Sequence, residues 1–126
     1  MYDKNNIFAK ILRGEIPCEK IYEDETTLFF NDINPVAKIH VLGIPKAPCV
    51  DYSDFINNCD DKMVLHFFKK VEVVINILKI NESGYRIITN SGKNGNQEVP
   101  HFHIHILGGQ ELGTKIEKNN YSFTIT

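Results

Sequence analysis

Three histidines alternate with apolar residues towards the end of the chain, at His101, His103 and His105. Side chains alternate between the two faces of a β-strand, so a strand over Phe102–Leu107 is expected to present the imidazoles on one face, roughly 6.5–7 Å apart. The apolar residues between them would supply the buried face. Two chemistries use imidazoles in this arrangement. One is zinc binding with an open coordination position, and the other is attack at phosphorus by a neutral imidazole whose second nitrogen is held by an acceptor.

The segment before these histidines, residues 90–97, is rich in glycine and asparagine. Both residue types tolerate the backbone conformations that let N–H groups approach an anion closely. The side chains of Asn90, Ser91 and Gln97 add neutral hydrogen-bond donors. Phosphate oxygens need such donors and a zinc site does not, so the loop favours phosphoryl transfer over metal binding.

The composition indicates one compact domain, since 42% of the 126 residues are hydrophobic and 24% are charged. The formal net charge of −2 gives no reason to expect nucleic acid or an anionic membrane as a partner. No apolar run approaches the roughly 18 residues of a membrane-spanning helix, and the N-terminal residues lack a signal-peptide pattern. Cys18, Cys49 and Cys59 show no Cys-x-x-Cys spacing, which favours free thiols and a cytoplasmic location.

The pattern of apolar residues predicts an α+β fold with a mainly antiparallel, five-stranded sheet, one short helix and one long helix. The short helix is expected over Asn6–Arg13 and the long one over Asp60–Lys79, where apolar residues recur at three- and four-residue steps. Five strands are predicted, at Ile21–Glu23, Leu28–Asn31, His40–Ile44, Tyr85–Thr89 and Phe102–Leu107. For Tyr121–Ile125, an edge strand and a docked extension stay open.

The stretch His101–Leu107 resembles the signature of the histidine-triad (HIT) nucleotide-binding family, and Gly108-Gly109 resembles its Hint branch of adenosine phosphoramidases. The glutamate at position 98 resembles the bacterial form of that branch. Further segments carry the resemblance in the same order, at Ile7–Ile11, Glu15–Pro17, Asn31–Pro35, His40–Lys46 and Gly95–Val99. The resemblance implies a single HIT domain over residues 1–126, with a core at about 5–109 and a tail at 110–126, that pairs into a homodimer.

The resemblance also implies an activity, the hydrolysis of purine nucleoside phosphoramidates through a covalent nucleotidyl-histidine, with no cofactor. His103 would be the nucleophile, and His105 would contact the phosphate and the departing amine. His101 and His40 would support them, with the backbone carbonyl of His101 holding the tautomer of His103. The implied ligands are AMP, GMP and their phosphoramidates, and neither nucleic acid nor a membrane is expected as a partner.

A nucleotide pocket is implied by the same resemblance. Asp32 would receive both ribose hydroxyls. Apolar residues would sandwich the purine, namely Ile7, Phe8, Ile11, Phe30 and Ile33. Contacts to ribose or phosphate would come from Asn90, Gln97 and Val99. Glu98 occupies a position near the leaving group that is serine in animal Hint proteins, and its role is open.

Three alternatives stay open at this point. The nearest is a dinucleoside-polyphosphate hydrolase, which the Gly108-Gly109 ending disfavours mildly. The second is a nucleotide-binding or protein-interaction module with incidental catalysis. The third is a metalloenzyme that uses His101, His103 and His105 together. No structural zinc is expected, because the positions of its ligands in some bacterial relatives are occupied here by Asn6, Ala9 and Pro48.

Overall fold

Five antiparallel strands form the sheet that organises residues 1–114, the part of the chain described by this computed structural model. The elements are α1 (Ile7–Leu12), β1 (Lys20–Glu23), β2 (Thr27–Asn31), β3 (Ile39–Pro45), α2 (Tyr52–Asn58), α3 (Asp61–Leu78), β4 (Tyr85–Ile88) and β5 (Ile104–Gly108). The strand order is β1-β2-β3-β5-β4, and each neighbouring pair is antiparallel. The α+β fold and its five-stranded antiparallel sheet are therefore confirmed. The prediction for Tyr121–Ile125 lies outside the described residues.

One face of the sheet packs against α3 and carries the larger part of the core. Asp60 caps the start of this helix by accepting a hydrogen bond from the backbone N–H of Met63, and Lys79 ends it in the left-handed conformation, with φ at 59°. The rings of Phe29 on β2 and Phe67 on α3 stack with their centroids 5.8 Å apart. Burial of each such ring contributes about 1.5–3 kcal/mol, which holds α3 across the sheet.

A third helix, α2, corrects the prediction of one short and one long helix. It follows Asp51, whose side chain accepts a hydrogen bond from the N–H of Asp54, and Phe55 is the only buried residue among its seven. With a single buried side chain, the helix leaves no apolar stripe in the sequence. Phe55 stacks on Phe102 at 4.8 Å between centroids and so anchors the segment that leads into β5. None of the helices within residues 1–114 combines the length and the hydropathy needed to cross a membrane.

The opposite face of the sheet packs against α1 and contains the histidines. A second apolar cluster lies there, formed by Phe8, Leu28, Phe30, Leu42 and Ile44. His40 and Leu42 point the same way because they alternate along β3, and Leu42 is paired with His105 of β5. Both histidines therefore share the α1 side of the sheet, away from the α3 core.

The strand β5 begins at Ile104, so the predicted strand over Phe102–Leu107 starts two residues too early. The backbone N–H of Phe102 donates to the carbonyl of Cys49 at 2.8 Å, which ties it to the loop before α2 rather than to β3. Of the three alternating histidines, only the last lies within the strand, and the first two precede it.

Gly43 on β3 lies where a larger side chain has no room. A Cβ atom there would be 2.4 Å from Cε2 of Phe29, its partner across the β2–β3 pair. We predict that Gly43→Ala lowers the free energy of unfolding by about 1–3 kcal/mol, the usual cost of overpacking, measured by urea denaturation. Combining it with Phe29→Leu should cost less than the two single changes together, because the smaller side chain relieves the clash. Additive costs would contradict this explanation.

Candidate active site

A cavity of about 290 Å³ opens on the α1 side of the sheet, where β3, β5 and the loop before β5 meet. Predicted site residues line most of it, at Phe8, Asp32, His40, Asn90, Glu98, Val99, His103 and His105. Further lining residues were not predicted, at Asn34, Val36, Leu42 and Asn96. A larger groove of about 520 Å³ lies between the β1–β2 turn and α3 and contains none of the predicted site residues.

His101 is fully buried and uses both of its ring nitrogens. Its Nε2–H donates to the carbonyl of Pro45 at 2.8 Å, so Nδ1 is the acceptor for the hydroxyl of Tyr2 at 2.6 Å. Burial lowers the pKa of His101 to about 4, with the neighbouring His103 adding to the effect, and the ring is neutral near pH 7. Since neither nitrogen is free, His101 cannot share a metal ion with His103 and His105, contrary to the metalloenzyme alternative.

His103 has one nitrogen held and the other free. Its Nδ1 lies 2.7 Å from the backbone carbonyl of His101, and a carbonyl only accepts, so Nδ1 carries the hydrogen and Nε2 keeps its lone pair. Thr89, which lies beyond the end of β4 rather than within the predicted strand, donates its hydroxyl to the carbonyl of His103 at 2.7 Å. Burial lowers the pKa of His103, which keeps the imidazole neutral and its Nε2 nucleophilic.

His40 and His105 form a directional pair across β3 and β5. The N–H of Val36 donates to Nδ1 of His40 at 3.1 Å, so the ring hydrogen of neutral His40 is on Nε2. That Nε2–H donates to Nδ1 of His105 at 2.8 Å, which leaves the hydrogen of His105 on its own Nε2. Burial, together with the neighbouring His103 and His40, lowers the pKa of His105 to about 4. Within residues 1–114, His105 Nε2–H has no acceptor and is available to a ligand in the cavity.

Asp32 lies beside this pair, at the end of β2. Its Oδ1 accepts the N–H of Asn34 at 2.8 Å, and its Oδ2 is 3.3 Å from Nε2 of His40. One ligand atom each from Asp32, His40 and His105 lies within 4.8 Å of the others, which is a spacing suited to a divalent cation, but both nitrogens of His40 are already engaged by Val36 and His105. This set differs from the three alternating histidines considered from the sequence.

The glycine- and asparagine-rich loop is shaped by its own polar side chains. Nδ2 of Asn90 donates to the carbonyl of Gly95 at 2.7 Å. The amide of Gln97 accepts from the N–H of Gly92 and donates to the carbonyls of Val50 and Val99. Gln97 is therefore used within the protein and does not line the cavity, although Asn90 does. The loop holds the cavity wall in place before any ligand binds.

Of the residues predicted to contact the purine, the structure places Phe8 in the cavity and the others outside it. Phe8 lines the cavity, and its ring lies 4.9 Å from that of His103 between centroids. Ile11 and Phe30 pack against the cluster that contains Phe8 instead of lining the cavity. Ile7 and Ile33 are 45% and 89% exposed and do not line it either. Leu42 does, and its alternation with His40 along a predicted strand is the signal by which it could have been found.

Both the sequence and the structure of this chain are similar to those of known proteins. Residues 13–112 match the HIT domain family. A 13.2 kDa HIT-like protein of Azospirillum brasilense is 49% identical over 117 residues, which cover 93% of this chain and 96% of that protein. The structure resembles a HIT family hydrolase from Clostridium thermocellum, with a TM-score of 0.79 and 37% identity over 91% of this chain and 99% of that one. It also resembles a histidine triad nucleotide-binding protein from Candida albicans, with a TM-score of 0.74 and 30% identity over 92% and 87% of the two chains.

Protonation of His101 should destabilise the fold. Its pKa in the folded protein is about 4, below the ordinary 6.5, because the charged ring would be desolvated and lies near His103. The unfolded chain takes up this proton first as pH falls, so this group should remove roughly 2 kcal/mol of stability between pH 7 and pH 5.

Urea denaturation at the two pH values measures this loss. His101→Gln should flatten the pH dependence by that amount, and Tyr2→Phe should flatten it partly, because it frees Nδ1 without removing the ring. Equal pH dependence in the wild type and both variants would refute the assignment.

Proposed function

Because the chain belongs to the HIT domain family, we propose that it hydrolyses purine nucleoside phosphoramidates, as in the family's Hint branch. The observation that carries the proposal is the 2.7 Å hydrogen bond from Nδ1 of His103 to the carbonyl of His101. It leaves a neutral imidazole with its Nε2 lone pair directed to a cavity that also holds the Nε2–H of His105. These are a nucleophile and a donor for a phosphoryl oxygen.

In the first step, Nε2 of His103 forms a bond to phosphorus as the P–N bond breaks. The electron pair of that bond stays on the departing nitrogen, which takes up a proton from solvent and leaves as a free amine. His105 donates its Nε2–H to a phosphoryl oxygen and stabilises the charge that develops there. The hydrogen bond from Nδ1–H of His103 to the carbonyl of His101 stabilises the positive charge on the substituted imidazole.

In the second step, water attacks the same phosphorus and releases the nucleotide. The P–Nε2 bond breaks, its electron pair returns to His103, and one proton of the water goes to solvent. The overall reaction converts a phosphoramidate and water into a nucleoside monophosphate and an amine. It requires no metal or redox partner.

The nucleotide is proposed to bind with its ribose at Asp32 and its purine against Phe8. A carboxylate suits two adjacent ribose hydroxyls because each oxygen accepts one of them. Ile11 and Phe30 support this arrangement by packing around Phe8. Contacts of the purine with the exposed Ile7 and Ile33 stay a prediction, and AMP and GMP are both candidate ligands.

A reducing, cytoplasmic location is proposed from the cysteines. Cys18, Cys49 and Cys59 are all free thiols. Cys59 packs against the apolar cluster that contains Cys49, and burial raises the pKa of Cys49 to about 12, which suppresses the reactive thiolate. Two neighbouring thiols that stay unpaired suit a reducing compartment.

A homodimer is proposed to form through the α3 side of the edge strand β4. Tyr85 and Ile87 of β4 are 42% and 44% exposed, and Leu65 and Phe68 of α3 are also exposed. Ile87 is paired with Ile106, so it faces the α3 side of the sheet. An edge strand with exposed apolar residues next to a partly apolar helix suits pairing with a second copy.

Sedimentation equilibrium tests the dimer. The wild-type chain should sediment as a dimer, and Ile87→Lys should shift it towards the monomer by burying an unpaired charge at the interface. Ile56→Lys, which changes an exposed residue of α2, should leave the dimer intact. A monomeric wild type, or an equal effect of the two lysines, would refute the proposed surface.

The nucleophile can be identified with a slowly hydrolysed AMP phosphoramidate. Mass spectrometry should locate the nucleotidyl adduct on His103, and His103→Ala should lose the adduct and at least about a thousandfold in turnover. His66→Ala, outside the cavity, should retain both. Turnover should survive treatment with a chelator.

Other outcomes would change the assignment. An adduct elsewhere would refute the roles given to the histidines. Tight binding with negligible turnover would support a nucleotide-binding module, and preferred cleavage of a dinucleoside polyphosphate would support that alternative activity.

A further inference from the structure

The cavity has an unexpected charge for a site that takes a phosphate ester. Two carboxylates line it, those of Asp32 and Glu98, and no lysine or arginine does so among the described residues. Burial lowers the pKa values of His40, His103 and His105, so these imidazoles do not supply positive charge near pH 7. A phosphoryl group in this cavity therefore meets neutral donors and two negative side chains.

The two carboxylates are not equivalent. Asp32 is engaged by the N–H of Asn34 and lies beside His40, at the proposed ribose position. Glu98 is exposed at the cavity wall and forms no ion pair within residues 1–114. Its negative charge reaches the reacting centre, since it is among the charges that act on the imidazole of His103. Glu98 is thus an unneutralised carboxylate next to the nucleophile.

The backbone on both sides of Glu98 is fixed. The amide of Gln97 bonds to the carbonyls of Val50 and Val99, and the carbonyl of Val99 also accepts the N–H of His101. The side chain of Glu98 therefore extends from a backbone position that is fixed in the wall, which a surface glutamate on a free loop would not do.

This arrangement discriminates among substrates by charge. A nucleoside phosphoramidate carries one negative charge at phosphorus, whereas a phosphate monoester approaches two and a polyphosphate bridge carries about one for each phosphate. Two carboxylates without a neighbouring cation repel the more highly charged ligands most. They attract a positive group that is carried on the substrate itself.

We propose that Glu98 is a specificity-determining residue that selects phosphoramidates whose leaving amine carries a second, cationic group. This inference rests on the proposed function. The ammonium of such an amine would lie against the Glu98 carboxylate while the P–N bond is cleaved at His103. The cationic group takes no part in bond breaking, so the attraction acts mainly on substrate binding and should appear in KM more than in kcat. Because Glu98 is exposed, the expected preference is about two- to fivefold, the range of exposed ion pairs, and salt should weaken it.

Three AMP phosphoramidates of matched chain length test the proposal. Their leaving amines are putrescine, with a terminal ammonium, pentylamine, with a terminal methyl, and aminovalerate, with a terminal carboxylate. The wild-type protein should show kcat/KM values in that order at low salt. Glu98→Gln should remove most of the ammonium-to-methyl ratio, and Glu98→Asp should retain part of it.

Glu82→Gln is the matched control, because it neutralises an exposed carboxylate in the turn between α3 and β4, outside the cavity. It should keep the wild-type ratio. Equal rates for the three substrates in the wild type, or an unchanged ratio in Glu98→Gln, would overturn the role of Glu98 and leave the proposed function intact. If no phosphoramidate is turned over, the proposed function fails. In that case, calorimetric titration measures the affinity of the protein for each of the three compounds, and the order of these affinities tests the charge preference of the cavity.

Discussion

The hydrogen bond from Nδ1 of His103 to the backbone carbonyl of His101 is the interaction on which the site depends. It determines which nitrogen carries the hydrogen and therefore which one can act as a nucleophile. The carbonyl is available because His101 lies before the start of β5 and is not used in the β-sheet ladder. Phe102, held by Cys49 and stacked on Phe55, fixes the same stretch from the α3 side. The tautomer of the proposed nucleophile is thus set by the point at which a strand begins.

The histidines are buried as neutral rings, and each ring is oriented by a partner of fixed polarity. The N–H of Val36 can only donate and the carbonyl of Pro45 can only accept, so these two backbone groups set the tautomers of His40 and His101. His40 then sets that of His105. Burial makes protonation unfavourable and keeps the hydrogens in this pattern near neutral pH. The pattern also places the Nε2 lone pair of His103 and the Nε2–H of His105 at the cavity without any positively charged group.

The imidazoles that would bind a phosphate in this cavity are neutral, and this affects which anions the cavity can hold. A cationic site would hold a nucleotide product tightly by charge. Neutral imidazole N–H groups instead bind phosphoryl oxygens mainly through directional hydrogen bonds. The carboxylates of Asp32 and Glu98 in the cavity wall repel highly charged anions. The charge of the lining is the feature on which the proposed preference for phosphoramidates over polyphosphates rests. In the proposed function, substrate selection and nucleophile activation are carried by different residues of one cavity.

The sequence alone determined the features that follow from local periodicity. Apolar runs between turn signals assigned the central strands, and three- and four-residue spacing assigned α3. The histidine pattern together with the glycine- and asparagine-rich loop favoured phosphoryl chemistry over metal binding. Tertiary structure decided what depends on distant partners. The start of β5 depends on Cys49, α2 buries one residue and leaves no pattern, and Gln97 is satisfied by Val50. Tautomers and cavity walls are set by hydrogen bonds between residues far apart in the chain, and such pairings have no period that a sequence can display.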